Sequence, residues 1–490
     1  MIRFRVGDAR TVIEGVEKSL LRDLDEITSY KIDGAHFSPS FRQRRWDGKT
    51  HLLRYSRRFG LRLYTGLVPI AARYLRNLGH RVEVIDERRP LNRTVDTPLP
   101  WLDDEFVLRP YQEDSVEAIL SKNPDLPGRG MVSSAVRSGK TVMAGGLIHR
   151  TQARALFLVH QERQFDQTWR LYSHLFGRDR VGMVGSGYWE PNDVTVGMVQ
   201  ALHPKRKTAE VKRLLQSVDV LVVDECHHLK QAQTWKDLVL KCDARIKVGI
   251  SATIYLSRKK ESEKATVWLQ ALTGPLLYTI STKRLIKMGV LVPATIRLVK
   301  VQGPDVVDVD WDQAQKKGIV QHDQRNRIIA RIAQRRVRKG RKVLVIARRR
   351  EHIDRLISEF QEHDLGDLVV RIDGRTPKGT RTKRVSQFVD GSKPLLIGSV
   401  FQEAVDIPQI EDVIVADGGK DRKATIQKLR NLTPHKGKTD RVYVYDMIDL
   451  HNPTLAAHSR ARISAYRSED CFDFEVIDWS KRKTRKKGRR

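Results

Sequence analysis

Cysteine is scarce: 490 residues carry three, Cys226, Cys242 and Cys471, with no CxxC pair among them. A disulfide-stapled secreted scaffold is excluded, and a reducing compartment is expected. No apolar run approaches the roughly eighteen residues a membrane-spanning helix needs, and no secretory leader is expected, so the reading is a cytoplasmic protein. His227-His228 has no accompanying Cys/His cluster, which removes a zinc site. Acidic residues are also short, 59 Asp and Glu against 91 Lys and Arg, for a net charge of +32. Solubility asks for a net charge of only about 2–8 in a small domain. The excess therefore points to a polyanion partner, bound through phosphate contacts and sensitive to salt.

What is there begins with residues 218–223 (VDVLVV), followed at once by Asp224-Glu225-Cys226-His227. A short β-branched run without helical period is a strand buried on both faces. An open α/β sheet places its ligand beyond such a strand's C-terminal tip. Of two adjacent acids there, Asp224 would hold Mg²⁺ and Glu225 would orient and deprotonate a water attacking a γ-phosphate. A solvated acidic loop after a core strand is the plainer alternative. The partner that decides between them lies upstream. Residues 130–133 read as a strand and 134–139 as a loop, and Lys140-Thr141 opens a helix through 148. Backbone N–H groups at Ser138 and Gly139 and the helix start form a phosphate nest, with Lys140 on the β/γ-phosphates and the Thr141 hydroxyl on Mg²⁺. The GxxxxGK[ST] spacing is imperfect. Ser134 replaces the first Gly, and Arg137 makes the loop bulkier.

Further pieces complete a set: Ser251-Ala252-Thr253 after a strand at 246–250, residues 108–112 (LRPYQ) ahead of the phosphate loop, and 197–200 closing another strand. With the Asp-Glu-Cys-His stretch, these make the chain resemble a superfamily 2 helicase. Within that group it is similar to the UvsW-like phage branch-migration helicases, related to XPB/RecG-type double-strand translocases. Residues 30–53 (YKIDGAHFSPSFRQRRWDGKTHLL) resemble the small substrate-recognition domain of that family, and 281–293 (STKRLIKMGVLVP) are typical of it. The resemblance implies ATP and Mg²⁺ as cofactors, Arg109 and Gln112 at the nucleotide with Gln112 on the adenine edge, and Ser251, Thr253 and His227 coupling the γ-phosphate site to a second lobe. It also implies a backbone contact near His160, Asp406 close to the ribose, and branched or double-stranded DNA as partner. RNA stays open, because nothing in the nucleotide motifs selects the sugar. Oligomeric state is undetermined, with a monomer as default.

The expected architecture is α/β: two tandem RecA-like parallel-sheet lobes after a small α+β N-terminal domain. Residues 1–88 form that domain, with a strand at 2–6, a hairpin from 50–55 and 61–64, a helix at 68–78 and a strand at 81–85. From 42 to 62 there are eight Lys/Arg against Asp47 alone, with Trp46, Tyr55 and Phe59 interleaved. Arg42, Arg44, Arg45, Trp46 and Lys49 are the candidate nucleic-acid contacts, a solvated basic face being the alternative. Residues 89–106 read as a linker, 107–280 as the ATP-binding lobe, 281–324 as a connector, and 325–455 as the second lobe. Residues 456–490 read as an extension whose last ten residues hold eight Lys/Arg, a run that adds non-specific phosphate attraction.

The pattern breaks in the second lobe. Gly374, Arg381 and 405–408 fit the family, with Ala404 for the commoner Gly, but the last motif, usually QxxGRxxR, reads QKLRNLTP from Gln427. Asn431 and Pro434 occupy its arginine positions. An arginine finger is worth about 10³–10⁵ in kcat, and Arg430 stands one position off, rotated by about 100° on a helix. Gln427 with Arg430, or alternatively Arg422 or Lys423, remains to meet the nucleotide. Two readings follow: an ATP-hydrolysing DNA translocase, and a DNA-binding protein that has lost hydrolysis.

Overall fold

The computed structural model describes every residue except 33, 92–94, 105, 231, 253, 255–259, 304–309, 400–409, 421–439, 469–470 and 479–490. The chain divides into two units, Met1–Ser281 and Thr282–Arg490.

The first unit holds a mixed sheet and a mainly parallel one. In the mixed sheet the strand order is Arg54–Ser56, Gly60–Tyr64, Arg10–Glu14, Ile2–Val6 and Val82–Asp86. Helix Val68–Asn77 packs on it through Val68, Ala71, Ala72 and Leu75. The expected hairpin differs in detail: Lys49–His51 pairs with Ser29–Lys31, while Arg54–Ser56 pairs with Gly60–Tyr64. Leu52 and Leu53 are both buried. Neighbouring residues of one strand face opposite ways, so two consecutive core residues end the first strand and let the second begin.

In the larger sheet the order is Tyr188–Glu190, Val181–Gly185, Val194–Met198, Ala155–Val159, Val220–Asp224, Ile246–Ser251, Arg129–Ser134 and Leu276–Ile280. Only the edge strand Tyr188–Glu190 runs antiparallel. Ala155–Val159 is buried at all five positions, as a strand covered by helices on both faces must be. Helix Glu162–Phe176 shows the complementary pattern. Phe165, Thr168, Tyr172, Leu175 and Phe176 face inward at three- and four-residue steps.

The N-terminal domain is fastened to this sheet. The Arg129 guanidinium donates to the Asp8 carbonyl at 2.9 Å, and the Trp268 indole to the Tyr30 hydroxyl at 2.8 Å. Gly66 lies so close to the helix Lys260–Thr273 that a Cβ there would sit 1.9 Å from the Gln270 carbonyl oxygen. Described parts of the segment expected as a linker are tied down as well. Arg89 pairs with Asp219 and the Leu99 N–H meets the Gln152 side chain at 2.7 Å, while Arg88, the last residue of the N-terminal domain, donates to the Arg245 and Pro127 carbonyls.

The second unit is built on a parallel sheet ordered Val369–Ile372, Leu395–Gly398, Val343–Ile346, Asp412–Val415, Val442–Asp449, Ala294–Val301 and Phe472–Asp478. Two of these strands lie in stretches read from sequence as connector and C-terminal extension. Both complete this sheet instead, because Ala294–Val301 pairs along its length with Val442–Asp449 on one side and with Phe472–Asp478 on the other. Asp449 meets the fully buried Arg325 at 2.8 Å, and Asp446 meets Arg462 at 2.9 Å. Such buried pairs offset their own desolvation only with good geometry, and Asp446 gains a further bond from the Tyr466 hydroxyl at 2.6 Å.

Candidate nucleotide site and nucleic-acid surface

Three neighbouring parallel strands, Arg129–Ser134, Ile246–Ser251 and Val220–Asp224, end side by side, with Ser133 opposite Ser251 and Ile250 opposite Asp224. This register brings residues far apart in sequence to one edge. The Lys140 ammonium lies 2.9 Å from Glu225 Oε1. Glu225 Oε2 accepts from the Ser251 hydroxyl at 3.0 Å, and His227 Nδ1 is 3.0 Å from that hydroxyl and 3.2 Å from Oε2. The Glu225 N–H donates to Asp224 Oδ1 at 2.9 Å. Lys140, Asp224, Glu225, His227 and Ser251 therefore form one cluster. Glu225 takes a left-handed backbone, φ 47°. That costs a non-glycine residue of order 1–3 kcal/mol.

The phosphate loop is held from behind. Gly139 caps helix Lys140–Thr151 at φ 77°, and a Cβ there would stand 2.4 Å from the Gln112 amide nitrogen. Gln112 is buried. Its amide donates to the Ser138 carbonyl at 3.0 Å, and its oxygen accepts from the Arg109 N–H at 2.8 Å. Each end of the carboxamide keeps one further hydrogen-bonding position. The Tyr111 hydroxyl donates to the same Ser138 carbonyl at 2.8 Å, and Arg109 reaches that hydroxyl at 3.3 Å. Ser134 needs no glycine-like freedom: it ends its strand outside the positive-φ residues, and its hydroxyl meets that of buried Ser138. The positive φ in this loop falls on Arg137 and Gly139. Thr141 follows Lys140 in the helix, and its carbonyl accepts from the Tyr172 hydroxyl at 3.0 Å.

Electrostatics separate the two acids. Burial pushes the Asp224 carboxyl up to about 6, against the pull of Lys140. Burial works the same way on Glu225, but Lys140 and His227 outweigh it and hold that carboxyl well below the usual range. Burial likewise disfavours the charged Lys140, and the two carboxylates reverse that to raise its pKa.

Thr253, Asp406, Gln427 and Arg430 lie outside the described residues, as do Ala404, Arg422, Lys423, Asn431, Pro434 and the basic tail. Sequence reasoning missed Tyr111 and Tyr172 as loop supports. Tyr111 had a local signal, an aromatic placed beside Gln112 at a helix start, whereas Tyr172 is a helix-face aromatic like any other. The His160 carbonyl is engaged by the Gln200 side chain, and its ring sits 4.4 Å from that of His228.

On the N-terminal domain, Arg42, Arg44 and Arg45 are exposed around the short helix Pro39–Arg42, beside Phe37 and Phe41, which are 70% and 37% exposed. Trp46 and Lys49 are more committed. The indole donates to the Lys49 carbonyl at 2.7 Å, and the Lys49 ammonium pairs with Glu26. The hairpin at 54–64 adds exposed Tyr55 and Phe59, with the Arg62 guanidinium 4.3 Å above the Phe59 ring.

Similarity to known proteins follows the same division. Residues 105–256 match the family of the res subunit of type III restriction enzymes, and 323–430 match the helicase conserved C-terminal domain. Two parallel-sheet units, the first bringing Lys140 against Glu225, share the fold of helicase domains. Residues 2–86 match the N-terminal domain of the DNA helicase UvsW. The ATP-dependent DNA helicase uvsW of Enterobacteria phage T4 is 22% identical over 499 residues, covering 92% of this chain and 94% of that protein. The chain is thus similar to this helicase over nearly its whole length. Solved structures agree on the fold. A fragment of a putative HsdR subunit of a type I restriction enzyme from Vibrio vulnificus YJ016 aligns at TM-score 0.54 and 18% identity, over 77% of this chain and 70% of that one. The Hef helicase domain of Pyrococcus furiosus aligns at 0.52 and 13%, over 74% and 100%.

Proposed function

We propose that this chain is an ATP-dependent DNA helicase or translocase that remodels branched DNA such as forks and junctions. The carrying observation is the 2.9 Å approach of Lys140, at the start of the helix that follows strand Arg129–Ser134, to Glu225, just past strand Val220–Asp224, with Ile246–Ser251 between the two strands. Lys140 holds the β/γ-phosphates, with backbone N–H groups from Ser138 to Thr141 around them, and Arg109 and Gln112 lie on the base side. Glu225 takes the proton of the attacking water, and Ser251 and His227 fix the orientation of its carboxylate. The Thr141 hydroxyl and the Asp224 carboxylate are hard oxygen donors, few enough to leave Mg²⁺ its water and phosphate ligands. When bound, Mg²⁺ neutralises charge building on the phosphates. Arg42, Arg44 and Arg45 track the DNA backbone, and the protein works in the cytoplasm, that of the bacterial host if it is phage-encoded.

ATP turnover with forked, duplex and single-stranded DNA and with duplex RNA tests the proposal. Fork DNA is expected to stimulate most, and Lys140→Ala to abolish turnover. Equal stimulation by duplex RNA would overturn the DNA assignment. Asn431 and Pro434 in the last motif favour a second reading, a protein that binds ATP and DNA without hydrolysis. Its signature is ATP-dependent DNA binding with no turnover on any of the four substrates.

A further inference from the structure

A cavity of about 230 Å³ opens in the second unit between the end of helix Asp323–Val337 and the first halves of strands Ala294–Val301 and Val442–Asp449. Ligands of open parallel sheets bind beyond the carboxyl ends of the strands, so this pocket lies toward the opposite end from the lobe's expected nucleotide-facing edge. Its walls are cationic: Arg297, Arg335, Arg336 and Lys339, with Tyr443 and Tyr445. The Tyr443 ring lies 3.8 Å from the Arg297 guanidinium, 5.0 Å from that of Arg336 and 5.6 Å from that of Arg341.

Neutralisation is incomplete. Arg297 bonds Glu475 and the Tyr445 hydroxyl, each at 2.8 Å, while Arg336 and Arg341 share Asp412 at 2.6 and 3.1 Å. Arg335 and Lys339, both exposed at the mouth, have no carboxylate within ion-pair distance among the described residues. A helix C-terminus favours cations, which accounts for basic residues in the last turn. It does not account for Arg297 and Arg341 arriving from elsewhere at the same ring. The cavity is several times the roughly 30 Å³ that a water occupies, and guanidinium forks beside an ammonium match phosphate oxygens.

We propose that this pocket binds a phosphate group. Its source is either the nucleic-acid backbone or a free nucleotide or polyphosphate, and two measurements on the full chain separate them. Both use a Lys140→Ala background, which removes the phosphate cradle of the first unit. The first is calorimetric titration with inorganic pyrophosphate. Arg335→Gln with Lys339→Gln, a change at exposed positions, is expected to weaken binding by about tenfold or more. Unchanged pyrophosphate affinity, or no pyrophosphate binding before the change, overturns the proposal. The second is the salt dependence of duplex DNA binding. If the backbone is the source, the two substitutions lower the logarithmic salt slope by about 1.8. Lost pyrophosphate binding with an unchanged slope assigns the pocket to a free phosphate compound.

Discussion

Replacing Glu225 by Gln separates two roles proposed for one side chain: partner of Lys140, and base for the attacking water. As it stands, the carboxylate neutralises Lys140 at 2.9 Å, with the two side chains 21% and 16% exposed. A triphosphate entering the loop must draw that ammonium away. Exposed ion pairs contribute about 0.2–1 kcal/mol, and removing one member of a buried pair costs about 3–5 kcal/mol. A partly buried pair falls between, so opening it costs about 1–2 kcal/mol. Gln keeps the size, and its carbonyl still accepts from Ser251. It loses the charge that holds Lys140, and with it the ability to take a proton. ATP affinity should therefore tighten by about five- to thirtyfold, since about 1.4 kcal/mol is a factor of ten. Turnover should fall by about 10²–10⁴, the usual worth of a positioned general base.

The assay pairs steady-state ATP hydrolysis on fork DNA with the Kd of ATP measured without DNA. Opposite signs in the two quantities are the signature. If turnover holds, Glu225 is not the base. If the Kd weakens along with turnover, Glu225 is structural support for the loop, and the picture of an ion pair opened by the substrate is wrong.

Other perturbations test other parts of the molecule. Lys247 is buried with its ammonium on the Val239 carbonyl at 2.9 Å, and burial, with nearby Arg129, lowers its pKa to about 7. An unfolded lysine keeps its proton to about pH 10.4. Between those values the unfolded chain binds more protons, so this residue makes stability climb with pH. Lys247→Met should remove about 3 kcal/mol of that climb between pH 7 and 10, read from urea midpoints; parallel curves for the two proteins would refute it. Gly66→Ala places a Cβ 1.9 Å from the Gln270 carbonyl oxygen and should loosen the N-terminal domain, exposing residues 87–107 to limited proteolysis. An unchanged digestion pattern would show that the close approach yields cheaply. Changing Arg42, Arg44 and Arg45 together to Gln should lower the salt slope of fork binding by about 0.9 for each phosphate no longer neutralised. Turnover without DNA should be unaffected, and an unchanged slope would remove these three from the DNA surface.

The nucleotide cluster was legible because its logic is local to strand ends. A β-branched run ending in two acids, and a strand–loop–helix with lysine at the turn, each state their geometry in a few residues. What was not legible depended on distant pairing. Nothing in 294–301 or 472–478 says that they will lie side by side: the first reads as part of a connector and the second as part of an extension, and order across a sheet is a tertiary choice. The basic segment at 42–49 was legible in charge but not in commitment: Lys49 pairs with Glu26, 23 residues away on another element, while Arg42, Arg44 and Arg45 stay exposed. The serine in the first glycine's place reads as a departure in sequence. In space its hydroxyl meets Ser138, and Tyr111 and Gln112 hold the same loop residue from the other side.

One consequence of the strand register joins the two candidate surfaces of the first unit. Strand Ile246–Ser251 follows Arg245, whose guanidinium meets Asp86 at 2.6 Å and the Arg88 carbonyl at 3.1 Å, and it finishes at Ser251 on the Glu225 carboxylate. Its neighbour starts at Arg129, bonded to the Asp8 carbonyl, and finishes at the phosphate loop. Two adjacent strands thus run from the docking face of the N-terminal domain to the candidate nucleotide site, each buried over most of its length. Close-packed strands of this kind transmit displacement rather than absorb it. DNA held on Arg42, Arg44 and Arg45 would then be carried with the lobe that grips the nucleotide phosphates, so a nucleotide-driven step would act on the bound junction instead of being lost in a flexible tether.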